Sequence, residues 1–239
     1  MSPKTPATLL RLYLPADWPA RQTTCEWELV NAAGARLQLG SSEPRHWPPA
    51  DRCELVLSAE QCLLTDVPLP KGARARTPEV IGYALEEQLL GDAAGEHFVV
   101  GESAGKSTGD AATQATPVWV IARARLQALF AVLRPLGRVP QRLISELQLV
   151  PLRDGWTVCL KAQGGLVRTA AEAGFTFDIP TDGAAQRSEP PLELQLAVQA
   201  ARQAGNPPAA IDVLAAPGVS FDATAASAWQ NALGVPLRV

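Results

Sequence analysis

Gly101-Glu102-Ser103-Ala104-Gly105 is a literal G-x-S-x-G, the spacing with which serine esterases hold a nucleophile on a sharp strand-to-helix turn. That chemistry needs an apolar helix after the serine and a histidine base further along the chain. Lys106-Ser107-Thr108-Gly109-Asp110 has no apolar helical face, and the two histidines, His46 and His97, both precede Ser103. The same stretch imitates a phosphate-cradling G-x-x-x-x-G-K-[ST] but is one residue short. The lost residue changes which backbone N–H groups point inward. We therefore expect residues 101–116 to be a solvated, chemically inert connection, in which Ser103→Ala changes neither fold nor binding.

Other reactive side chains do not converge. Cys25, Cys53, Cys62 and Cys159 include no C-x-x-C pair, and with two isolated histidines they offer no metal-ligand cluster. They read as buried thiols in a reducing compartment. His97 reads as a structural residue in a strand. Lys71, Arg74 and Arg76 lie in one loop without an aromatic stripe for base stacking. No catalytic residue, cofactor or metal is expected.

Composition narrows the class. The chain has 239 residues, against roughly 150 for an average domain. Apolar residues are 47% and charged residues 19%, which excludes a disordered tail or a coiled coil. A net charge of -3 gives no basic field to draw in nucleic acid or anionic lipid. The N-terminus lacks a signal-peptide apolar core, and no apolar run reaches the ~18 residues of a membrane span. A cytoplasmic two-lobed protein is expected.

The elements that would position any site follow from hydrophobic period. Residues 7–14, 25–30 and 35–40 alternate like strands of a meander, and Cys53–Leu57 supplies a fourth strand after a Pro-rich crossover. This opening suggests an RNase H-like lobe. Next come a strand over 61–69 and a helix with Thr77 as N-cap, Pro78 at its first position and Gly91 closing it. Strands over 96–100 and 117–122 follow, then a helix carrying Leu126, Leu129, Phe130 and Leu133. We read this segment as a compact α/β insert. The last third repeats the opening: strands at 156–161, 165–170 and 174–179, a helix over 192–204, a strand at 211–214, and a helix over 223–233 capped by Asp222 and closed by Gly234. The fold class is α/β, with domains at 1–58, 59–145 and 146–239.

Pro78-Glu79-Val80-Ile81-Gly82-Tyr83-Ala84-Leu85-Glu86-Glu87-Gln88-Leu89, followed by Glu96-His97-Phe98, resembles an "ALEEQL…HF" stretch of one family. That family is the cytoplasmic domain of type II secretion system protein L. Leu64-Thr65-Asp66-Val67-Pro68-Leu69-Pro70 and the order of elements fit the same family. The resemblance implies an actin-like fold of two RNase H-like lobes with a small inserted domain, related to the pilus scaffold PilM. It implies a non-catalytic inner-membrane scaffold that docks the secretion ATPase, protein E, through that enzyme's N-terminal domain. Protein M would be met through regions beyond this chain, and a homodimer is expected. A membrane helix is expected after Val235-Pro236-Leu237-Arg238-Val239, leaving this domain on the cytoplasmic face.

The alternative is an actin-like ATP-binding regulator with a degenerate cleft. Superfamily ATPases carry a D-x-G-[ST] turn after the first strand, whereas this chain has Leu14-Pro15-Ala16-Asp17-Trp18-Pro19, with two prolines and no glycine. Arg153-Asp154-Gly155-Trp156 is taken as the second-lobe phosphate turn, and Ala215-Ala216-Pro217-Gly218 as the adenosine-facing segment. Asp17 and Asp154 are the residues that could hold magnesium. The candidate partner surface is Glu79, Tyr83, Glu86, Glu87 and Leu90, opposite the apolar face of the helix formed by Val80, Ile81, Ala84, Leu85 and Leu89. From Thr77 to Glu96 the chain has five acids and no Lys or Arg.

Overall fold

A computed structural model describes residues 7–70, 77–89, 91–101, 113–179 and 189–239. The chain divides into two compact units, Met1–Glu146 and Leu147–Val239.

The first unit opens with the meander β1 (Leu9–Leu14), β2 (Cys25–Val30) and β3 (Arg36–Ser42). The next strand, β4 (Arg52–Leu57), lies parallel to β1, and β8 (Arg142–Ser145) lies parallel to β4. Their order is β3-β2-β1-β4-β8. Sequence reading missed β8, which is short and lies in a polar stretch. One sheet face carries Leu10, Leu12, Leu14, Cys53, Leu55 and Leu57, all buried. Helix α2 (Arg123–Leu133) covers it with Leu129 and Leu133. This corrects the assignment of that helix to the insert: its apolar stripe is in the core of the first sheet.

The opposite face carries a row of charges in register. Arg11 stands between Glu28 and Glu54 across β2, β1 and β4, and Arg142 stands opposite Glu54. Arg11 donates to Glu28 at 2.6 Å and to Glu54 at 2.7 Å, Arg36 reaches Glu28 at 3.1 Å, and Arg142 reaches Glu54 at 3.3 Å. Tyr13 adds a hydroxyl donor to Glu28 at 2.8 Å. Two carboxylates are buried here because each has cationic donors, the condition under which charge leaves water.

Strands β5 (Cys62–Pro70), β6 (Glu96–Val100) and β7 (Thr113–Ala122) form an antiparallel group, β5-β7-β6. Strand β7 starts at Thr113, four residues before the expected start at Pro117. Its polar beginning pairs with the end of β5, Thr113 with Pro70, and ladder pairing needs only backbone groups. Helix α1 (Pro78–Ala84) packs on this group, with Ile81 and Leu85 buried among Val67, Leu69, Val118 and Val120. Val80, Ala84 and Leu89 complete the expected apolar face.

Unit two repeats the plan. Strands β9 (Trp156–Lys161), β10 (Gly164–Ala170) and β11 (Ala173–Asp178) form a meander. Strand β12 (Ile211–Ala215) lies parallel to β9, and β13 (Leu237–Arg238) parallel to β12. The order β11-β10-β9-β12-β13 has the same connectivity and directions as β3-β2-β1-β4-β8. Helices α3 (Leu192–Gln203) and α4 (Ala223–Leu233) bury Leu194, Val198, Trp229 and Leu233 against Val158, Leu160, Ile211 and Val213. As expected, the Asp222 side chain accepts from the Ala225 N–H, and Gly234 ends α4 in the left-handed region at φ 57°.

Candidate functional site: a closed phosphate turn and an acidic helix surface

Two places bear on the expected function: the turns that hold phosphate in actin-like ATPases, expected here not to bind nucleotide, and the outer surface of α1, expected to meet a partner.

The connection from β1 to β2 is built from carbonyls facing a cation. Arg125, projecting from α2, donates to the carbonyl of Trp18 and, at 3.2 Å, to that of Pro15, with a further bond to Gln61 Oε1. Burial pushes the Arg125 pKa down, and Asp17 partly offsets this. The Trp18 ring is fully buried beside Trp47, with ring centroids 6.2 Å apart. The Leu14 carbonyl is also taken, by Gln61 Nε2 at 2.9 Å and Ser58 N–H at 3.1 Å. A phosphate site needs backbone N–H groups turned toward an anion. This turn has two prolines, a buried indole and a guanidinium on its carbonyls.

Arg153–Trp156 does not occupy the equivalent place in unit two. It leads into the start of β9, whereas the β1–β2 connection corresponds in strand order to the β9–β10 hairpin at Ala162 and Gln163. The sequence alignment of that turn is therefore corrected. Gly155, at φ 140°, has a packing reason: a Cβ there would lie 2.2 Å from the Ala210 carbonyl oxygen. The Ala216–Val219 turn is closed by a 2.9 Å bond from Val219 N–H to Ala216 O, with Pro217 and Gly218 (φ 81°) at its centre. That is the type II preference, and it makes the segment a connector into α4. Asp17 and Asp154 are both exposed and lie in separate units. Among the described residues no group of three or more His, Cys, Asp or Glu side chains could hold a metal.

Helix α1 is shorter than expected. It stops at Ala84 rather than running to Gly91, and tighter i→i+3 bonds take over, Glu86 N–H to Tyr83 O at 3.3 Å and Gln88 N–H to Leu85 O at 2.8 Å. These turns keep Leu85 and Leu89 on the insert's core while the chain heads back to β6. Thr77 is at the N-cap but makes no capping bond; its hydroxyl serves Glu79 instead. A backbone N–H at the helix start, with that hydroxyl, holds the Glu79 carboxyl below its ordinary value.

Glu79 and Tyr83 are one helical turn apart, and Glu86 and Glu87 follow in the turns; all four are exposed, Tyr83 at 82%. No described residue forms an ion pair with these three carboxylates. Leu90 lies outside the described residues, as do Lys71, Arg74, Arg76 and residues 102–112, which include Ser103. His97 lies on β6, as expected, with its side chain exposed.

The topology is that of an actin-like fold, with two units of shared connectivity. The solved structures similar to it include three with the following likeness. The cytoplasmic domain of EpsL of Vibrio cholerae, described as an inner-membrane component of the type II secretion system, is 20% identical, with TM-score 0.64 over 91% of this chain and 87% of that one. The PilM–PilN type IV pilus biogenesis complex is 14% identical, with TM-score 0.61 over 98% and 88%. A Bacteroides thetaiotaomicron protein of actin-like ATPase fold and unknown function is 8% identical, with TM-score 0.53 over 98% and 91%. The chain has no match among curated proteins. Residues 20–209 match the family model of type II secretion system protein L, so the chain belongs to that family and is a component of that secretion system. Among the described residues no helix is long and apolar enough to cross a membrane.

Proposed function

We propose that the chain is a non-catalytic scaffold on the cytoplasmic face of the bacterial inner membrane, where it docks the N-terminal domain of the secretion ATPase beside protein M. The observation that carries this reading is the α1 surface: an exposed Tyr83 among the exposed Glu79, Glu86 and Glu87, none of which is ion-paired with a described residue. An amphipathic aromatic among carboxylates suits a protein interface, and the charges would steer a basic patch, affecting on-rate and specificity first. Leu90 belongs to the proposed surface by sequence. The carbonyl-lined β1–β2 turn supports the non-catalytic half of the reading.

The test is Glu86→Lys combined with Glu87→Lys, with affinity for the ATPase N-terminal domain measured near 0.15 M salt. At least a tenfold loss is expected, about 1.4 kcal/mol, with an unchanged melting temperature because both side chains are exposed. One exposed ion pair is worth at most ~1 kcal/mol, so the loss requires charge reversal at a true interface. Unchanged affinity moves the docking surface elsewhere.

A further inference from the structure

Strand β6 is the outer member of the β5-β7-β6 group, and no described strand pairs with its free edge. Gly101 N–H donates to Pro117 O at 2.8 Å, which fixes the phase of the ladder. In an antiparallel pair the direction of such bonds alternates along the strand. His97, Val99 and Gly101 therefore turn their N–H and C=O groups to β7, whereas Glu96, Phe98 and Val100 turn theirs outward. Arg123 Nε fits this phase, donating to the outward Glu96 O at 2.8 Å. Among the described residues nothing bonds the outward N–H and C=O groups of Phe98 and Val100.

Exposed edges are normally blunted by charge, proline or a bulge, because they are templates for another strand. From His97 to Gly101 the edge has no Lys, Arg, Asp, Glu or proline, and its register is unbroken. The Phe98 and Val100 side chains pack on the core beneath α1, so the edge is already ordered for pairing.

This edge adjoins the acidic surface of α1. A Cβ on Gly82 would lie 2.7 Å from the Ala93 Cβ and 3.9 Å from the Phe98 ring, so that side of α1 faces the approach to β6 and its middle. Glu79 stands one turn before Gly82 on the same side of the helix. From Thr77 to Gly101 the chain carries five acids and no Lys or Arg.

We propose that the N-terminal domain of the secretion ATPase lays an extended segment flanked by basic residues along the free edge of β6, adding a strand to the β5-β7-β6 group. Main-chain bonds to Phe98 and Val100 supply the pairing, and the flanking bases meet the carboxylates of α1. Arg123 already occupies the Glu96 carbonyl, so the added strand pairs from Phe98 onward. The inference rests on the docking reading above and names the backbone groups through which that docking is made.

The test is amide hydrogen exchange by NMR on the full chain, alone and with the ATPase N-terminal domain, joined to the affinity of Val100→Pro. In the free chain the amides of Phe98 and Val100 are expected to exchange fast, and those of His97 and Val99, held in the ladder, slowly. Saturating ATPase domain is expected to slow Phe98 and Val100 at least tenfold. Val100→Pro removes an outward donor and no ladder bond, a change that edge strands tolerate, and is expected to weaken docking at least tenfold. Binding that leaves the exchange of Phe98 and Val100 unchanged overturns the strand addition while the docking reading stands. Slow exchange of both amides in the free chain does the same, as does undiminished affinity of a folded Val100→Pro. If that variant does not fold, the exchange measurement decides alone. An ATPase domain that does not bind the wild-type chain overturns the docking reading and this inference together.

Discussion

Arg125 of α2 donates its guanidinium to the backbone carbonyl of Trp18, tying the helix to the turn after the first strand. The bond is made where an actin-like ATPase would expose N–H groups to phosphate. One side chain thus anchors α2 to the sheet and keeps the turn in a carbonyl-inward state.

Arg125→Gln is expected to cost about 2–3 kcal/mol, because the carbonyls of Trp18 and Pro15 and the amide oxygen of Gln61 lose charge-assisted donors in a half-buried setting. Urea unfolding followed by circular dichroism measures this. A loss under about 0.5 kcal/mol, the scale of an ordinary surface substitution, would mean that water replaces the guanidinium at little cost.

Mg-ATP is expected to give no binding heat in titration calorimetry with the wild-type chain. Removing Arg125 should not create a site, since Pro15 and Pro19 still lack N–H groups and Trp18 still fills the core. A low-micromolar dissociation constant for the wild type would overturn the non-catalytic reading.

The charged row across β2, β1 and β4 predicts acid sensitivity. Burial alone would raise the Glu28 pKa, but hydrogen bonds from Tyr13, Arg11 and Arg36 outweigh it and hold the carboxyl below its ordinary value. A folded pKa below the unfolded one means stability that is complete above the unfolded value, ~4.3, and lost as pH falls through the folded value. Wild-type unfolding free energy should therefore drop with acid in that window. Glu28→Gln should start lower at pH 7 by roughly 3 kcal/mol, since it leaves part of a buried charge set uncompensated, and should fall less steeply below pH 5. Equal slopes in urea titrations across the pH series would assign the acid sensitivity to other carboxylates.

The sequence by itself determined both meanders, the apolar faces of α1 and α2, the positions of α3 and α4 and the repeated plan of the two lobes, because strand alternation and helical spacing are local patterns. It also disfavoured a phosphate turn after β1, since prolines without N–H groups can be read from the letters. Tertiary structure decided what depends on partners distant in sequence. The side chains of α2 fit an insert as well as a lobe, and only packing of Leu129 and Leu133 with Leu10 and Leu55 fixed their place. Strand β8 is four residues in a polar stretch, legible only once β4 pairs with it. The end of α1 at Ala84 could not be read from a helical period that continues to Leu89, because the return of the chain to β6 set it. Gly155 resembled a phosphate glycine until the Ala210 carbonyl was found against it. The ladder of Arg11, Glu28, Glu54 and Arg142 spans four strands and 131 positions of sequence, so register alone brought its charges together.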